Sequence, residues 1–435
     1  MREFLLRLQR VFAGKSGDFF VALALQISGA GLAYLSQVAL ARTAGASGFG
    51  LLSLVVSVSA VVGLVITLGM GALGLRLLPA WVRDGEGAMA RQFLVLAYAL
   101  TIALASLVGA GVVAVGASIA WGAATALGVT LLVTVTALVS LGGDFGRGIG
   151  AFASAYGAAL VLRPAVAMLT LGVLAWAGVA GFGAGLSALV VGGWVAVVVQ
   201  VGVIRRRLAR LGGRGRVGRG NSVGWLRMAP SYMIANLLVL FLLQVDILVC
   251  SVVLESRDLG YYSSAVRTLA VISVVSGAIV SVAAPRFALA SGDRIQLERE
   301  VRIVARWQFA LVCGVAVPLF VAAPWVLGLF GSGFASAEWA MRLMVIGQVV
   351  NAAFGPSGTV LVYSGFPRVV SGGTLVCVFM AALACFFGAS MWGLTGAAGG
   401  YATGTVTGGV ILWWLARSRV SVDTGVWNRA VSSSD

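Results

Sequence analysis

The chain has 435 residues, of which 60% are hydrophobic and 10% charged, with a mean hydropathy of +1.03. Soluble globular chains carry roughly 25% charged residues, so a water-soluble globule is excluded and an all-α polytopic membrane protein is expected. The net charge of +16 is almost wholly arginine, Lys15 being the only lysine; the absence of histidine removes imidazole bases, relays and metal ligands.

Met1 to Lys15 sets Phe4, Leu5, Leu8 and Phe12 against Arg2, Arg7 and Arg10, the pattern of a short amphipathic helix lying on a membrane surface. The apolar run that follows, Phe19 to Leu40, is too long for the h-region of a signal peptide, which is about 7–15 residues. It reads as a retained spanning helix. Segments of about 20 apolar residues then recur, and twelve are predicted: 18–40, 51–75, 92–118, 121–141, 155–178, 181–204, 229–254, 259–284, 307–330, 338–363, 369–389 and 393–415. With a cytoplasmic N-terminus, 25 of the 30 basic residues fall in inside segments. The positive-inside rule therefore supports twelve spans with both termini cytoplasmic.

Gln37-Val38 followed by Gly50-Leu51-Leu52-Ser53 is repeated as Gln244-Val245 followed by Gly260-Tyr261-Tyr262-Ser263. The offset, 207 to 210 residues, is nearly half the chain. It implies two pseudo-symmetric six-helix bundles in parallel orientation around a central cavity. The expected divisions are residues 1–204, an arginine-rich cytoplasmic linker at 205–228, residues 229–415, and a cytoplasmic tail at 416–435. The linker holds eight arginines and no acid. Its place among the inside segments makes it topogenic and attractive to anionic lipid headgroups, and nucleic acid is not expected as a partner.

Glycine-rich matches to a dinucleotide pattern, Gly69-x-Gly71-x-x-Gly74 and Gly213-x-Gly215-x-x-Gly218, follow no strand and carry no such meaning. Cys250, Cys313, Cys377 and Cys385 lie in apolar runs without ligand spacing. No metal or cofactor is expected, and no catalytic signature is present.

Charge inside a spanning helix is costly and usually functional. Asp246, eight residues before the outer end of the seventh span, and Arg267, eight after the outer start of the eighth, fall at matching depth, roughly 12 Å below the surface. They read either as a structural salt bridge or as a cavity pair, with Asp246 taking a coupling cation and Arg267 an anionic substrate. Arg163 precedes Pro164 and is either a snorkelling arginine or an anion ligand. Asp18 is a helix N-cap or a second ion-coupling candidate, and Arg42 an outer anchor or a cavity group. Gln26, Gln37, Gln244, Gln348 and Asn351 are polar residues within spans that suit interhelical hydrogen bonds or a substrate path. Gly355-Pro356-Ser357-Gly358 should break the tenth span in the membrane.

These residues resemble a family. Leu35 to Arg42, Gly50 to Ser53 and Gly69 are similar to the first two helices of bacterial polysaccharide-biosynthesis flippases of the Wzx type. Gln244-Val245-Asp246, Gly260 to Ala265, Arg267, Pro285 and Ser291-Gly292-Asp293 resemble their seventh and eighth helices. Gly355 to Gly358 with Tyr363-Ser364-Gly365 is similar to their tenth. The resemblance implies a non-enzymatic transporter of the bacterial inner membrane. Such a protein flips a polyprenyl-pyrophosphate-linked oligosaccharide by alternating access, alongside a polysaccharide polymerase. The same superfamily contains lipid II flippases, which usually carry two further C-terminal helices, and H⁺- or Na⁺-coupled multidrug antiporters, the alternative function. Arginine weighs at least as much as aspartate among the membrane charges here, which suits an anionic cargo.

Overall fold

A computed structural model describes residues 16–118, 122–210, 219–290 and 292–428. The expected surface helix before residue 16 and the middle of the arginine-rich linker lie outside the described residues. So do the side chains of Asp18 and Gln26. Among the described residues the chain is helical without strands. The helices are α1 (Ser16–Ile66), α2 (Met70–Arg83), α3 (Gly87–Ser118), α4 (Ala123–Gly148), α5 (Phe152–Trp176), α6 (Phe182–Ala209), α7 (Arg219–Val253), α8 (Ser256–Ala290), α9 (Arg294–Val321), α10 (Glu338–Ala353), α11 (Ser357–Tyr363) and α12 (Pro367–Arg419). Short helical turns at Ala323–Gly328 and Ser332–Ala337 lead into α10.

Among the described residues ten helical stretches are long and apolar enough to cross a membrane, where twelve separate spans are expected from the sequence. The difference lies in α1 and α12, of 51 and 53 residues. A straight helix of that length would run nearly 80 Å, more than twice the roughly 30 Å hydrocarbon core. Both are interrupted. Gly45 takes φ 71° and ψ 176°, backbone that only glycine adopts easily. Trp392 and Gly393 leave helical geometry in α12. There the two arms fold back antiparallel: a Cβ on Gly388 or Gly396 would overlap the other's carbonyl, Gly400 lies against Ala384 and Cys385, and Gly404 lies against Ala381. Small residues let these backbones approach as close as membrane helices do. Connections this tight leave no loop to separate two spans. Leu169 is 71% exposed and Trp176 90%, apolar surface that water would not tolerate across a whole molecule. The chain is a multi-pass membrane protein.

The contacts divide the chain into two compact units. Unit 1 holds residues up to Thr43 together with Val58–Leu237. Its core gathers Met70, Leu73, Phe93, Phe145, Trp225 and Ala229, all buried. Phe93 sits edge-on to Trp225 at 5.2 Å, Trp81 at 5.6 Å and Phe145 at 5.8 Å between ring centroids. Those rings tie the start of α7 into this unit. The Gly69–Gly74 run is a packing device: Gly69 lies against Ala229 and Met233, Gly71 against Asp144, and Gly74 against Phe145.

Unit 2 holds Ala44–Ser57 and the chain from Leu238 on. Phe49 is buried there with Phe330 and Phe334, at 5.9 and 6.1 Å. Asp293 caps α9, its carboxylate accepting from the N–H groups of Ile295 and Gln296. The expected break in the tenth span lies between α10 and α11, with Gly355 at φ 68°. The chain after α12 docks on this break. Thr424 Oγ1 donates to Phe354 O at 2.9 Å and lies 2.6 Å from Ser357 Oγ, and Val426 N donates to Ala353 O at 3.0 Å. Part of the expected tail is thus a packed strap that satisfies backbone carbonyls the broken helix leaves open.

Candidate functional site

Unit 2 contains a cavity of about 530 Å³ lined from α7, α8, α10 and both arms of α12. Gln244 and Asp246 reach it from α7, Arg267 from α8, Gln348 and Asn351 from α10, and Tyr401 and Thr405 from α12. Glycine makes the room: a Cβ on Gly409 would meet Asn351 Oδ1 at 2.5 Å. Five of the sequence-derived candidates, Gln244, Asp246, Arg267, Gln348 and Asn351, therefore share one cavity.

Asp246 and Arg267 line it without bonding to each other. The four ion pairs among the described residues are Arg83–Asp84, Asp144–Arg147, Arg286–Glu300 and Glu338–Arg342. The structural salt bridge between Asp246 and Arg267 is therefore not formed. Asp246 Oδ2 accepts from the buried Tyr262 hydroxyl at 3.2 Å, while its Oδ1 has no partner. Arg267 Nε is also buried without one. Buried polar atoms are nearly always hydrogen-bonded, so a pair of open ones on opposite charges in one cavity is chemically suited to a polar guest. Around them Ser57 donates to Gln244 Oε1 at 2.8 Å, and Gln348 Nε2 donates to the Tyr401 hydroxyl at 2.7 Å. These bonds hold two amides in fixed orientations.

The remaining candidates with described side chains, Arg163, Arg42 and Gln37, belong to unit 1 and do not line this cavity. Arg163 is half-buried and follows a π-helical turn, Gly157–Leu162, at the point where Pro164 removes a backbone donor. Its carbonyl lies against Gly192 of α6. Arg42 is exposed near the end of the first arm of α1, and Gln37 is half-buried about one turn earlier. Tyr262 and Tyr401 were not singled out from the sequence. Tyr262 lies five residues before Arg267, in the Gly260–Ala265 run, which was the only available signal. Tyr401 stands in a glycine-rich run with none. Among the described residues no group of acidic or cysteine side chains is arranged to hold a metal ion.

No protein-family model matches the sequence, and no curated protein matches it. Solved structures do. An inward-facing multidrug resistance MATE family transporter of the MOP superfamily aligns with a TM-score of 0.74 at 15% identity, over 92% of this chain and 98% of that one. The lipid II flippase MurJ in an inward closed conformation aligns with a TM-score of 0.66 at 10% identity, over 92% and 87%. A MOP superfamily transporter from Pyrococcus furiosus, described as having a binding pocket of reverse polarity, aligns at 0.58 and 14%, over 92% and 94%. At these identities the likeness is one of fold: the chain has the helical membrane architecture shared by MATE transporters and MurJ.

Proposed function

We propose that this chain is a flippase. It moves a polyprenyl-pyrophosphate-linked oligosaccharide from the cytoplasmic to the outer leaflet of a bacterial inner membrane, for cell-surface polysaccharide assembly. The observation that carries the reading is the unit 2 cavity, where Arg267 and Asp246 each present an unpartnered polar atom and amides and hydroxyls surround them. An unpaired phosphate or sugar faces a steep barrier in hydrocarbon. Arg267 offers a cationic partner to the pyrophosphate, while Gln244, Gln348, Asn351 and Tyr401 offer hydrogen bonds to sugar hydroxyls. The polyprenyl tail stays in lipid. The halves 1–204 and 229–415, joined through the linker at 205–228, alternate access by rocking. Both termini stay cytoplasmic, and no covalent bond is made or broken. The fold is shared with a lipid flippase, which supports the reading. Arg163, Arg42 and Gln37 are proposed to meet the cargo elsewhere on its path. A polysaccharide polymerase consumes the product.

The test is Arg267→Ala in a strain that depends on this protein. Surface polysaccharide should be lost while the protein still inserts; unchanged polysaccharide would remove Arg267 from the cargo path. A second reading, an H⁺- or Na⁺-coupled antiporter for organic cations, is favoured by the open Asp246 Oδ1 and by the fold shared with a multidrug transporter. It requires that expression raise resistance to cationic dyes and that Asp246→Asn abolish the effect.

A further inference from the structure

A second groove, of about 810 Å³, lies in unit 1 and shares no residue with the unit 2 cavity. Its origin is in the helix packing: α3 and α6 both lie along α4 and scarcely touch each other, so a channel runs between them with Leu138 of α4 in its lining. From α3 it takes Arg91, Leu94, Val95, Tyr98, Ala99 and Ile102, which are spaced as one helical face. From α6 it takes Trp194, Val197, Val201, Ile204, Arg205 and Leu208, again one face. The two helices run antiparallel along it. Arg91 is eleven residues from Ile102, and Arg205 eleven from Trp194. Both arginines therefore stand at the same end, roughly 16 Å from the far end of an otherwise apolar slot. The charged end is the cytoplasmic one by the positive-inside reading, and Arg206, Arg207 and Arg210 follow directly in the sequence. Arg91 Nε donates to Gly87 O at 3.1 Å, which holds its side chain at the first turn of α3. Midway, the Tyr98 hydroxyl is buried without a hydrogen-bond partner.

An acyl chain fits the slot, and an anion fits its mouth. We infer that the α3–α6 groove binds an anionic membrane phospholipid, with the headgroup phosphate at Arg91 and Arg205 and one acyl chain against Val95, Ile102, Val197 and Val201. Neutral lipids would cover the same apolar wall without selectivity, and the paired arginines supply that selectivity. This site is independent of the transported cargo, and it stands whichever reading of the unit 2 cavity holds.

The test uses the full-length protein, purified from vesicles of equal phosphatidylglycerol and phosphatidylcholine, with retained lipid counted by native mass spectrometry. Wild type should keep phosphatidylglycerol preferentially. Arg91→Gln with Arg205→Gln should lower that preference by at least about 10-fold, the scale expected for two headgroup-facing arginines. Arg91→Lys with Arg205→Lys should preserve most of it. Ile102→Trp, which fills the slot and leaves the charge alone, should also lower retention. A phosphatidylglycerol preference unchanged in both the glutamine variant and Ile102→Trp would overturn the inference. Displacement of phosphatidylglycerol from this groove by a tenfold lower amount of polyprenyl phosphate would overturn it as well, by making the groove part of the cargo route.

Discussion

Gly50 and Gly260 pack against each other reciprocally. A Cβ on Gly50 would overlap Ser256 O and stand 2.8 Å from Gly260 N; a Cβ on Gly260 would overlap Ala46 O and stand 3.2 Å from Gly50 N. Gly50 and Gly260 are 210 residues apart, and so are Ala46 and Ser256. The short repeat seen in the sequence is thus a pair of equivalent helix starts crossing each other at their glycines, inside unit 2. Neither position has room for a Cβ, because each would meet the backbone of the other segment.

Gly50→Val and Gly260→Val should each destabilise the purified protein by about 1–3 kcal/mol, the range for overpacking a close contact. Neither can be relieved by a rotamer change, because the clash is with backbone. Unfolding in denaturant after detergent extraction measures it, and a valine variant as stable as wild type would contradict the crossing.

Arg267→Gln should lower transport strongly while changing stability by less than about 1 kcal/mol. Removing one member of a buried ion pair usually costs about 3–5 kcal/mol because the partner is stranded. Here Asp246 bonds to Tyr262 instead, so little is stranded. A large loss of stability would show that the two charges are paired in the membrane after all.

Thr424→Val should cost about 1–2 kcal/mol, since it removes the hydroxyl shared by Phe354 O and Ser357. The same change should speed proteolysis of the C-terminal strap. Equal cleavage rates in variant and wild type would mean that the strap is held by its rings alone, through the Trp427 contacts with Phe354 and Trp413.

Trp225→Ala should be the most damaging of the single changes, at about 3–5 kcal/mol. Trp225 is 5% exposed and packs edge-on to Phe93 and tilted against Trp81. Its loss opens a large hole where α7 joins unit 1. Tryptophan fluorescence during thermal unfolding would follow the shift.

The sequence alone determined the class of the molecule, because apolar length and arginine placement are set by the bilayer and not by tertiary contacts. Helix α6, with the arginines at 205–207 at its C-terminal end, is legible without any neighbour, and so is the break at Gly355-Pro356. The repeat at Gly50 and Gly260 was visible as spacing, but that the two copies touch was not. Nor was it visible that Asp246 turns to Tyr262 and leaves Arg267 open. Matching depth puts two charges at one level, but it does not give the rotation of either helix about its axis, and that rotation decides whether they bond to each other or face a cavity. The same limit hid the α3–α6 groove. Each helix shows its apolar face in the sequence, but only packing against α4 leaves those two faces apart with an arginine on each at the same end.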